Sequence, residues 1–135
     1  MPILTFVNLP VKDLNKSIGF FSKLGFNFNQ QFTDEKATCM IISDESCVML
    51  VTEPFYRTFT VKKIADSTKT TEVLVSLGLD SKASVDNMAS KAILAGGAEP
   101  QKAHDQGWMY ERSFEDLDGH LWSAFWMDPG KIEKQ

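Results

Sequence analysis

The stretch Phe114-Glu115-Asp116-Leu117-Asp118-Gly119-His120-Leu121-Trp122 decides the fold. Asp118-Gly119 is a hairpin signal, because glycine supplies the positive φ that a tight turn between two twisted strands needs. β-forming residues flank it on both sides. Trp108–Phe114 therefore reads as one strand and Leu121–Met127 as the last, ended by Asp128-Pro129-Gly130. Upstream lie a loop around His104–Gly107 and a short strand over Ala98–Lys102. Before these, Ser81 or Ser84 caps a helix carrying Val85, Met88, Ala92 and Leu94, which Gly96-Gly97 stops. Glu72–Leu79 is the strand that feeds this helix. The unit reads β-α-β-β-β.

The same order is already present once before. Ile3–Val11 reads as a strand, and Asp13 sits at an N-cap position ahead of Leu14, Ile18, Phe21 and Leu24 at helical spacing. Gly25 ends that helix. Phe26–Phe32, Thr38–Ile42 and Cys47–Thr52 read as strands, with a turn at Ser43-Asp44-Glu45-Ser46 and Pro54 as the stop. When the halves are superposed, Val11 falls on Leu79 and Met49 on Ser123, and the longer loop at His104 absorbs the difference. A repeat of this kind is a fold-level signal. Neither half, at about 60 residues, buries much of a core alone. The expected organisation is one domain over 1–135. It comprises a βαβββ module at 1–54, a linker at 55–70 with one short helical turn, a second module at 71–130 and a frayed tail at 131–135. The expected fold class is α+β, a curved half-barrel sheet with helices outside and a concave inner face.

Composition narrows the function. Of 135 residues, 43% are hydrophobic and 24% charged, which is globular rather than disordered. Apolar runs such as Cys47–Thr52 are too short to span a bilayer, and no basic-then-apolar leader opens the chain. A net charge of −4 argues against nucleic acid, which needs a basic face. The 2 cysteines read as reduced cytoplasmic thiols; Cys39 and Cys47 flank a hairpin out of register, so buried free thiols are expected rather than a disulfide. The 2 histidines leave little from which to build a multi-histidine metal site.

Leu9-Pro10-Val11-Lys12-Asp13-Leu14, with Ser17, Phe20-Phe21 and Leu24-Gly25-Phe26, resembles the opening of the glyoxalase / bleomycin-resistance / extradiol dioxygenase (vicinal oxygen chelate) superfamily. Phe114–Trp122 resembles that family's closing F-x-D-P-D-G-x-x-W/I motif, with Leu117 where proline is usual. The resemblance covers nearly the whole chain and implies paired βαβββ modules, commonly assembled as a homodimer. In metal-using members, four inner-face side chains from the first and last strand of each module hold one divalent ion. Carried onto this chain, those positions fall on Phe6 (or Val7), Met49, Leu74 (or Val73, with Glu72 a further slip away) and Ser123. None is an imidazole, and only the slipped Glu72 is a carboxylate. No metal or other cofactor is therefore expected, and no catalytic residue is assigned.

An inner face without metal is expected to hold a ligand. Alternate strand residues share a face, so Ser123 inward places Leu121 and Phe125 inward and Trp122, Ala124 and Trp126 outward. An even hairpin loop at Asp118-Gly119 then brings Tyr110, Arg112 and Phe114 inward, with Met40 and Met49 as their counterparts. A three-residue loop would instead present Met109, Glu111 and Ser113. The expected ligand-binding set is Phe6, Met40, Met49, Trp108, Tyr110, Arg112, Phe114, Ser123 and Phe125. Arg112 either meets a ligand carboxylate or phosphonate or pairs with Glu111 or Glu115 at the surface. His120 reads as an exposed turn residue rather than a catalyst. His104 reads as a surface loop residue, although its neighbour Asp105 could make it a general base.

Three functions remain open. The first is a cytoplasmic, homodimeric binder of a small apolar or aromatic molecule. The second is a metal-dependent lyase, isomerase or dioxygenase. The third is a dimeric scaffold with a vestigial cavity.

Overall fold

The computed structural model describes residues 2–131. The expected frayed tail therefore falls, beyond Lys131, outside the described residues. The chain divides into two compact units, Met1–Asp66 and Ser67–Gln135.

The first unit runs β1 (Thr5–Val11), α1 (Leu14–Lys23), β2 (Asn27–Asn29), β3 (Ala37–Ser43), β4 (Ser46–Thr52) and α2 (Glu53–Tyr56). Its sheet has the order β1-β4-β3-β2, with β1 parallel to β4 and the other pairs antiparallel. The second unit runs β5 (Leu74–Gly78), α3 (Lys82–Leu94), β6 (His104–Asp105), β7 (Met109–Glu115) and β8 (Leu121–Met127). Its sheet order is β5-β8-β7-β6, again with the first pair parallel. The topology of one unit repeats in the other, so the α+β class and the tandem βαβββ organisation read from the sequence are observed.

The helices start and stop for matching reasons. The Asp13 carboxylate accepts from Lys16 N–H at 3.1 Å, and the Ser81 hydroxyl accepts from Ser84 N–H at 3.0 Å. At the C-termini, Phe26 N–H reaches Phe21 O and Gly25 N–H reaches Ser22 O. Likewise, Gly97 N–H reaches Ala92 O and Gly96 N–H reaches Ile93 O. Both are the paired bonds of a Schellman stop.

Each helix covers one face of its own sheet. In the first unit, α1 packs against β3 and β4. Leu9, Val11, Thr38, Met40, Val48 and Leu50 share a face by register and are buried, as are Phe20 and Phe21 of α1. In the second, Leu77, Phe114, Trp122 and Ala124 are buried with Val85, Ala89 and Ala92 of α3. The opposite, helix-free faces position the candidate site.

Several boundaries differ from expectation. The strand expected over Phe26–Phe32 stops at Asn29, whose side chain accepts from Gln31 N–H and caps a 3-10 turn. No strand forms at Ala98–Lys102. Ala98 alone bridges Glu115, and Pro100, two residues on, has no N–H to donate to a ladder. The loop at His104 contains the short strand β6. Leu94, expected on the apolar face of α3, is exposed, and Ala89 occupies that face instead.

Candidate functional site

On the helix-free face of the first sheet, Phe6 lies beside Cys47, which pairs with Ile41, and Met49 pairs with Cys39. The end of this face opens into a cavity of about 260 Å³. Leu4, Phe6, Phe32 and Ile41 form apolar walls that are each roughly half exposed, while Cys39 and Cys47 line it as buried free thiols. Asn29, Asp44 and Glu45 supply polar edges. The turn at that edge is fixed by the Ser43–Ser46 hydroxyl contact at 2.8 Å and by Thr5 N–H donating to Glu45 O at 2.8 Å. Burial, reinforced by the neighbouring Cys39 thiol, pushes the Cys47 thiol up to about 12. The Cys47 thiol thus acts as neutral, polarisable lining rather than as a nucleophile. Phe6 is thus where the sequence placed it. Met40 is not, because it pairs with Val48 and is buried on the helix-covered face.

The second sheet corrects the hairpin. Asp116 N–H donates to His120 O at 3.1 Å, which leaves Leu117, Asp118 and Gly119 as a three-residue turn. Gly119 has φ +83, and a Cβ there would sit 2.8 Å from Ser67 O. The Asp116 carboxylate organises the loop: Oδ1 accepts from Asp118 and His120 N–H, and Oδ2 accepts from the Trp122 indole. Burial raises the Asp116 pKa, while His120 and these donors draw it down. Odd residues therefore pair with odd ones: Glu111 with Phe125, Ser113 with Ser123, Glu115 with Leu121.

Tyr110, Arg112 and Phe114 consequently face the helix, not the open face. Phe114 is buried and stacks on Trp122 at 6.2 Å. Arg112 gives Nε and Nη2 to the two oxygens of Glu99 at 2.9 and 3.1 Å, and Nη1 to Asp86 at 3.2 Å. Glu99 foremost, then Asp86, holds its pKa above the ordinary arginine range. Tyr110 donates to Asp86 at 2.6 Å, which raises its pKa. These donors are committed to the fold.

Glu111 takes their place on the helix-free face, where the Ser123 hydroxyl donates to its Oε2 at 2.9 Å. The three-residue alternative is the one the turn adopts, and the parity of the Asp-Gly loop is the signal that selects Glu111. Ser123 is buried and Phe125 half-buried on that face. Trp108 is 41% exposed, and its carbonyl accepts from Asp128 N–H at 2.7 Å. His120, expected at the surface, is buried with Nδ1 3.0 Å from Ser67 Oγ. His104 is exposed and its Nε2 lies 3.0 Å from the Gln106 amide. Its neighbour Asp105 turns to Gly107 N–H at 2.8 Å and Lys82 at 3.5 Å, so no Asp-His dyad forms.

The positions implied for a divalent ion can be tested by their chemistry. Phe6 and Met49 share the helix-free face of one sheet, and Leu74 and Ser123 share that of the other. Val7 lies on the opposite face, while Glu72 and Val73 precede β5. These side chains do not fit a divalent ion. Among the described residues, no three His, Cys, Asp or Glu groups gather as a ligand set, and no helix is long and apolar enough to cross a membrane.

Residues 4–43 match the family described as bleomycin resistance protein-like N-terminal. A hypothetical protein from S. aureus is similar in structure at 30% identity, with 93% of each chain covered and a TM-score of 0.77. A glyoxalase/bleomycin resistance protein/dioxygenase family enzyme from Burkholderia phytofirmans shares 16% identity over 93% of this chain and 99% of its own, with a TM-score of 0.79. A glyoxalase/bleomycin resistance protein/dioxygenase from Nocardioides shares 20% identity over 100% and 89%, with a TM-score of 0.72. No curated protein matches the chain.

Proposed function

Since the chain belongs to the glyoxalase/bleomycin-resistance/dioxygenase superfamily, we propose that it binds a small apolar or aromatic molecule on a helix-free sheet face, without a metal. The observation that carries this reading is the cavity of about 260 Å³ beside Phe6, with aromatic and aliphatic walls, a thiol lining and a few polar edge groups. Apolar concavities with sparse, convergent polar groups are the usual form of a small-molecule site. On the first sheet Phe6 and Met49 are the candidate contacts from the sequence, joined by Phe32, Ile41, Cys39 and Cys47. On the second sheet Ser123 and Phe125 are, while Trp108 continues the even series of Tyr110 and Arg112 and is not among them. Tyr110, Arg112, Phe114 and Met40 act behind the sheets as framework. The protein works as a cytoplasmic homodimer in this reading, and its exposed apolar residues Ile3, Leu4 and Phe6 suit a contact between copies.

The test is calorimetric titration with a panel of aromatic and antibiotic compounds, alongside elemental analysis of the purified protein. The reading expects saturable, one-to-one binding by protein that carries no stoichiometric metal. Stoichiometric zinc, nickel, manganese or iron would overturn it.

A further inference from the structure

We propose that the helix-free face of the second sheet receives a cationic group, and that Glu111 is the residue that binds it. This rests on the small-molecule reading and assigns the charge of the ligand group that this one sheet face would take.

The argument begins with register. Glu111 and Arg112 are neighbours on β7 with opposite charges, so loop parity decides which charge the open face carries. The three-residue turn assigns that face to Glu111. Arg112, on the other side, is saturated by Glu99 and Asp86. An anionic ligand group therefore meets no guanidinium here, and a cation meets a carboxylate.

The carboxylate is held but not satisfied. It is partly buried, and Ser123 donates to Oε2 at 2.9 Å from a buried position. That hydroxyl uses one of about four lone-pair sites. Among the described residues no ion pair involves Glu111, and His104, its neighbour across β6 and β7, makes none with it. Phe125, its direct cross-strand partner, shares its face and sets an aromatic ring beside the carboxylate. A partly buried carboxylate in such surroundings gains more from a charge-assisted donor than an exposed one does. Ser123 acts as the positioning residue.

Matched probes test this without knowledge of the natural ligand: benzamidinium, benzyl alcohol and benzoate, followed by amide chemical shifts in the folded full chain. Benzamidinium should shift the Glu111, Ser123 and Phe125 amides saturably and bind at least about tenfold tighter than benzyl alcohol. Benzoate should leave them unmoved. Glu111→Gln keeps an oxygen for the Ser123 hydroxyl but loses the charge, and should bring benzamidinium level with benzyl alcohol. Ser123→Ala should reduce the preference without removing it. The proposal is overturned if benzamidinium is not preferred at these amides or if the preference survives in Glu111→Gln. Shifts confined to Phe6 and Ile41 would also overturn it while leaving the cavity reading intact. Benzamidinium at Glu111 with no probe in the cavity would do the reverse.

Discussion

Trp122 donates its indole N–H to Asp116 Oδ2 at 3.0 Å, tying the start of the last strand to the residue that opens the turn before it. The other carboxylate oxygen takes the Asp118 and His120 amides. One side chain thus fixes turn length, strand parity and the seat of the Trp122 ring against Phe114. Asp116→Asn cannot serve all three donors, because its amide nitrogen donates where an acceptor is required. The expected loss is about 1–3 kcal/mol, read as a lower denaturation midpoint with an unchanged slope. A midpoint equal to the parent's would show that the carboxylate is dispensable.

The Cys47 thiol gives a pH dependence whose sign follows from its environment. Burial raises the folded Cys47 pKa from 9.0 to about 12. A raised folded value stabilises the folded state fully below the unfolded pKa, and that stabilisation is lost as pH rises through the folded pKa. Folding stability measured between pH 9.0 and about 12 should therefore fall more steeply in the parent than in Cys47→Ser. At about pH 8, a thiol-reactive disulfide reagent should label the folded protein slowly and both cysteines rapidly in denaturant. Rapid labelling of the native protein would contradict the burial of both thiols.

Arg112 belongs to the framework, and its variants should separate stability from binding. Arg112→Ala strands Glu99 and Asp86 at the α3 face and should cost about 1–3 kcal/mol. Arg112→Lys should recover part of that, since an ammonium cannot span both Glu99 oxygens. Affinity for any ligand found on the helix-free face should stay within about twofold, a difference too small to mark a direct contact. A tenfold loss of affinity in a variant that folds would return Arg112 to the binding site.

The repeat, the helix caps and the identity of the closing hairpin were legible because they rest on local chemistry. Asp13, Ser81, Gly25 and Gly96 act within a few residues of themselves. Loop parity was not legible: Asp118-Gly119 suits turns of more than one length, and the choice depended on Asp116 reaching the Trp122 indole. One residue of slip moved Tyr110, Arg112 and Phe114 to the other face and brought Glu111 forward. Met40 was misplaced for the same reason, since its side is set by pairing with Val48. The cavity residue Phe32 escaped notice because it follows a strand cut short by the Asn29 cap. His120 looked exposed from its place beside a turn, but Ser67, remote in sequence, packs against it.

The cavity in the first unit makes the last prediction. Phe32 is 59% exposed and Phe6 54% exposed, so neither is needed to fill a core. Phe32→Ala should therefore leave the thermal midpoint nearly unchanged. Removing an aromatic wall from a bound aromatic molecule forfeits roughly 0.5–1.5 kcal/mol, about a two- to tenfold weaker Kd by titration. Ile41→Trp tests the same site by filling it. Its longer side chain projects into the space between Phe6 and Cys39 and should abolish binding in a protein that still folds. A ligand whose Kd is unmoved by both substitutions would bind elsewhere, and the cavity beside Phe6 would then be a surface feature of the sheet.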